Sequence, residues 1–82
     1  MLHINNQMIQ FYMLNKLKKI IENNNFKNFT NLEIKHDELI ISASEFTGYD
    51  SIKEQVEIAK LIDEDKYKIE YLNDNIIKIK LK

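Results

Sequence analysis

The chain has 82 residues, 44% of them apolar, no cysteine and a net charge of −1. That length allows one domain, read here over residues 1–82, which buries only about 60–65% of the surface its unfolded chain exposes. The apolar content excludes a disordered chain, the lack of cysteine excludes disulfides and thiolate metal sites, and no run approaches the roughly 20 apolar residues of a membrane span.

The small net charge hides a division. Residues 1–36 hold five lysines and two acids (+3), residues 37–65 nine acids and two lysines (−7), and residues 66–82 five lysines and two acids (+3). All twelve basic residues are lysine. The opening Met1-Leu2-His3-Ile4-Asn5-Asn6 has no basic start and no uninterrupted apolar run, so no export signal is read there. Without cysteine or such a signal, the expected location is cytoplasmic.

Residues 5–24 read as a first helix. Ile9, Met13, Leu17 and Ile20 recur on one face, widened by Leu14 and Ile21. Asn23-Asn24-Asn25 ends it, because asparagine tolerates the left-handed conformation of a helix C-terminus. Residues 31–45 read as a hairpin around Asp37-Glu38, pairing His36 with Leu39, Ile34 with Ile41 and Leu32 with Ala43. His36, at the hairpin end, reads as a half-buried structural histidine. Residues 51–63 read as a second helix with a Ser51/Glu54 capping box and an inner face of Ile52, Val56, Ala59 and Ile62, beside Ile58. Residues 67–82 read as a second hairpin. A three-residue loop Asn73-Asp74-Asn75, with Asn75 left-handed, pairs Tyr71 with Ile77, Ile69 with Ile79 and Tyr67 with Leu81, and sets Glu70 opposite Lys78.

The predicted order is two consecutive α-β-β units, and so an α+β fold. The economical packing joins the hairpins into a four-stranded antiparallel sheet with two helices on one face. The order is also a circular permutation of the ferredoxin-like βαββαβ pattern, an analogy that carries no function.

Motifs for chemistry are missing from the sequence. Ser42, Ser44 and Ser51 lie in no nucleophile-elbow setting, the histidines are only His3 and His36, and the one glycine, Gly48, cannot build a phosphate loop. Asp63-Glu64-Asp65 lacks the alternating ligands and glycine of a calcium loop. The expectation is a non-enzymatic protein with no metal and no cofactor.

Binding surfaces are therefore the candidates. Met8, Phe11 and Tyr12 give the first helix more apolar surface than one core face needs. Phe46 and Tyr49 flank Gly48 in the loop between the units. Glu54, Glu57, Asp63 and Glu64 form an acidic surface on and after the second helix, able to meet a basic protein or to imitate nucleic-acid phosphates. Lys35, Lys68, Lys78 and Lys80 are expected on the open sheet face, where they could contact nucleic acid, although no arginine and no aromatic accompanies them there. The leading expectation is a protein-binding domain, such as a small inhibitor or regulator of a nucleic-acid-binding host protein carried by a phage or other mobile element. The alternative is a nucleic-acid binder using the lysine face. The expected partner is a protein, a homodimer is a further option, and no membrane is involved.

Overall fold

The computed structural model describes residues 6–43 and 49–82, with side chains from Met8 onward. The elements are α1 (Asn6–Asn23), β1 (Asn31–Lys35), β2 (Glu38–Ser42), α2 (Tyr49–Lys60), β3 (Tyr67–Asn73) and β4 (Ile76–Leu81). This is the expected α-β-β-α-β-β order. The strands form one antiparallel sheet in the order β1-β2-β4-β3, and both helices cover one of its faces. Each unit thus places its first strand at an edge and its second strand in the middle.

The core lies between the helices and the two middle strands. Leu39 and Ile41 of β2 and Ile77 and Ile79 of β4 are fully buried, and they meet Leu14, Leu17 and Ile21 of α1 and Ile58 of α2. Ile62, just past α2, and Phe29, just before β1, complete the cluster. Each such side chain contributes about 1.5–3 kcal/mol by leaving water.

α1 ends as its asparagines predict. Asn25 is left-handed, with φ 53°, and the Asn24 side-chain amide donates to the Ile20 carbonyl at 2.8 Å. Its buried face is turned from the expected one, however. Leu14, Leu17 and Ile21 are buried, whereas Ile9 and Ile20 are exposed. α1 is apolar around much of its girth, so spacing alone could not choose among its stripes.

The first hairpin keeps the expected faces but slides by two residues. Ile34 pairs with Leu39, Leu32 with Ile41, and Lys35 with Glu38. The turn is His36-Asp37, and His36 takes φ 57° at its first position. Histidine is among the few residue types that tolerate this region. His36 is an exposed turn residue, not a half-buried strand residue.

α2 begins at Tyr49, two residues before the expected start. Ser51 is therefore inside the helix and fully buried, and it is not the capping residue of a box with Glu54. The inner face is Ser51, Ile58 and Ile62; Ile52 and Val56 point to solvent.

In the second hairpin the expected pairs hold: Tyr71 with Ile77, Ile69 with Ile79, Tyr67 with Leu81, and Glu70 with Lys78. The connection differs. Asp74-Asn75 is a two-residue turn, and the extra residue is a bulge at Leu72, between the Tyr71–Ile77 and Asn73–Ile76 pairs. Asn75 is not left-handed. Its N–H is held by the Asn73 side-chain carbonyl at 2.7 Å, a local turn bond that replaces the left-handed residue of a three-residue loop.

Candidate functional site

The first candidate surface is the outward side of α1. Leu14, Leu17 and Ile21 turn the C-terminal half toward the sheet. One turn earlier the sheet-side position is Gln10, and the apolar residues have moved around the helix. Met8, Ile9, Phe11 and Tyr12 are all exposed, Phe11 at 56% and Tyr12 at 66%. Phe11 borders a hollow with Gln10, His36 and Asp37. Tyr12 borders a groove of about 270 Å3, lined also by Met13, Lys16, Ile20, Leu61 and Tyr67. The Tyr67 hydroxyl donates to the Met13 carbonyl at 3.4 Å. Burial, and then the nearby charge of Asp63, push the Tyr67 phenol above its ordinary pKa.

Phe46 lies outside the described residues. Tyr49 opens α2 and is 80% exposed. Ile52 and Val56 continue from it at three- and seven-residue spacing, so α2 carries an exposed apolar stripe. Sequence reasoning placed Ile52 and Val56 in the core. The polar pair Ser51 and Gln55, which shares the inner side with Ile58 and Ile62, makes that side look outward in the sequence and so hides it.

The four acids named from sequence do not act as one surface. The Glu54 carboxylate accepts three backbone N–H groups of the segment before β1: Lys27 at 2.8 Å, Asn28 at 2.9 Å and Phe29 at 3.1 Å. It fills a concave cluster of main-chain donors that would otherwise be an anion site. Asp63 shapes the turn after α2. Its side chain accepts from Asp65 N–H at 3.0 Å, and its carbonyl accepts from Lys66 at 3.0 Å and Tyr67 at 2.9 Å. Glu57 and Glu64 point to solvent. Two of the four acids therefore hold the fold, and two remain available to a partner.

The four lysines do line the sheet face away from the helices, and all are ion-paired there. Lys78 and Lys80 both reach Glu38, at 3.1 and 3.0 Å, while Lys35 meets Glu33 at 3.7 Å and Lys68 meets Glu70 at 3.6 Å. Sheet register explains this: Glu38 of β2 lies opposite Lys80 of β4, with Lys78 one diagonal away. Hydrogen bonds from Lys80 and then Lys78 hold the Glu38 carboxyl below the usual carboxylate range, and Glu38 in turn raises the pKa of Lys80. Glu38 was not singled out in the sequence because its partners lie forty residues away. The result is a mixed-charge face of four lysines and three glutamates.

Among the described residues no group of three or more histidines and acids is placed to hold a metal ion, and no helix is long and apolar enough to cross a membrane. Compared with protein-family models, curated proteins and solved structures, the chain matches none.

Proposed function

We propose that this is a non-enzymatic protein-binding domain whose contact surface is the outward side of α1. One observation carries the reading: Met8, Ile9, Phe11 and Tyr12 leave four large apolar side chains exposed within about a turn and a half of a helix otherwise anchored to the core. Aromatic side chains on a rigid helix make effective binding anchors, because little freedom is lost when they dock. Tyr49 and the outward acids Glu57 and Glu64 offer a second, acidic contact on α2 and the turn after it.

The specific form of the proposal is a cytoplasmic inhibitor or regulator, of phage or mobile-element origin, that docks on a nucleic-acid-binding protein. Exposed acids would speed encounter with a basic target, and the apolar residues would supply the affinity. The nucleic-acid-binding alternative draws less support, since each lysine of the sheet face already has a carboxylate partner.

The test is affinity capture from nuclease-treated and untreated lysate of the source cells, using wild type and Phe11→Glu side by side. Phe11→Glu is expected to melt within about 0.5 kcal/mol of wild type, as exposed substitutions do, while its specific partner is lost. A partner retained equally by both proteins sinks the α1 surface. Partners that disappear from both only after nuclease treatment move the function to nucleic acid.

A further inference from the structure

β3 is an edge strand, paired with β4 on one side only. Its outward backbone groups can be assigned. Lys82 N–H donates to the Lys66 carbonyl at 2.9 Å, in register with the β3–β4 ladder. Antiparallel pairing alternates, so Lys68 and Glu70 also turn their backbone groups toward β4, and Ile69 and Tyr71 turn theirs outward. The Tyr67 carbonyl faces outward as well, while its N–H is held by Asp63. The bulge falls beyond this stretch, at Leu72, and leaves residues 67–71 regular.

Such an edge is usually guarded by charged side chains, proline or bulges; the charges of β3, Lys68 and Glu70, are of opposite sign, and its bulge lies outside residues 67–71. Here the sequence of the stretch is Tyr67-Lys68-Ile69-Glu70-Tyr71. Read backwards, it is its own complement: tyrosine at both ends, isoleucine in the middle, and opposite charges between.

The geometry points to a second copy of this chain as the partner of this edge, with the two β3 strands antiparallel about a two-fold axis at Ile69. In that register Ile69 N–H donates to the Ile69 carbonyl of the second copy and receives the same bond in return. Tyr71 N–H donates to the Tyr67 carbonyl of the second copy, again reciprocally. Lys68 faces Glu70 of the second copy in the closer, non-hydrogen-bonded pairs, where side-chain contact is strongest. Tyr71, 52% exposed in the single chain, comes to lie beside Tyr67 of the second copy on the helix-bearing side. The two sheets merge into one, and the contact closes on itself as an isologous dimer.

The other edge does not offer as much. β1 has five residues against seven in β3. Centring it on Ile34 would pair Leu32 with His36, which sits in the turn at positive φ and is lost to a ladder.

The test is sedimentation equilibrium of the full chain over a concentration series, with circular dichroism to confirm folding. Wild type is expected to approach twice 9.9 kDa. Lys68→Glu and Glu70→Lys each place like charges across the contact twice, and should each raise the dimer dissociation constant at least about tenfold. The double swap Lys68→Glu/Glu70→Lys restores complementarity and should restore the dimer. Tyr71→Lys, at an exposed position, should also weaken it and guards against a charge variant that fails to fold. Wild type that stays monomeric throughout the series overturns the inference. So does a dimer unmoved by either single reversal, or one that the double swap fails to rescue. Phe11→Glu should leave the dimer unchanged, so this inference and the proposed function fail separately.

Discussion

α1 and α2 cover the same face of the sheet by different means. α1 is held by Leu14, Leu17 and Ile21, all buried in the core. α2 sends one apolar side chain of its own, Ile58, fully into the core beside the buried polar Ser51, and it is tied at its flanks by polar bonds. Glu54 grips residues 27–29, and the Gln55 side-chain amide donates to the Asp74 carbonyl at 2.6 Å. A helix anchored by apolar packing can leave further apolar residues outside, and α1 does. A short helix with a smaller apolar footing needs directional bonds to fix where it sits, and those bonds use side chains that look, in sequence, like free polar surface.

The largest effect expected from breaking this contrast is at Leu14. Leu14→Ala removes a fully buried side chain from the α1 anchor and should cost about 2–5 kcal/mol, enough in a domain of this size for urea titration to show a large unfolded fraction in water. A loss under about 1 kcal/mol would mean that α1 is not anchored there. Glu54→Ala should come next, at about 2–3 kcal/mol, because three backbone donors lose a charged acceptor together. Glu54→Gln keeps one acceptor oxygen and should recover part of that, whereas Glu57→Gln, on the outward side of the same helix, should change the melting curve little. Equal effects at positions 54 and 57 would return Glu54 to the surface. Gln55→Ala should be the smallest of the series, about 0.5–1 kcal/mol for one exposed neutral bond, with faster amide exchange at the β3–β4 turn as its local readout.

The element order, both turn regions and most of the second hairpin's register were legible because each rests on local pattern. Tyr67, Ile69 and Tyr71 alternate with Lys68 and Glu70, and only one face of the strand can be apolar. The first hairpin was misregistered by two residues because a slide of two keeps every side chain on its face. The alternation of residues 31–41 is blind to it, and the choice fell to the backbone of His36. The inner face of α1 was ambiguous for a related reason, since Ile9, Met13 and Ile20 compete with Leu14, Leu17 and Ile21 at the same helical period. What could not be read at all was long-range. Glu54 looked like half of a capping box, and its real partners lie 25–27 residues earlier. Glu38 looked like a turn residue until β4 was laid beside β2. Of the candidate surfaces, the exposure of Phe11 and Tyr12 followed from a surplus of apolar residues on α1, whereas the stripe Tyr49-Ile52-Val56 was hidden by the assumption that apolar means inward.

The position of β4 has a consequence in time. It follows the other five described elements along the chain, yet it fills the gap between β2 and β3 and carries Ile77 and Ile79 into the centre of the core. Until it arrives, the emerging chain exposes one flank of β2 with Leu39 and Ile41 beside it, and the Ala43 N–H lacks the Asn75 carbonyl that will accept it at 2.9 Å. The first unit is thus left waiting, half closed, while translation of the second proceeds. That interval is when this chain is most open to aggregation and to capture by whatever attends nascent proteins.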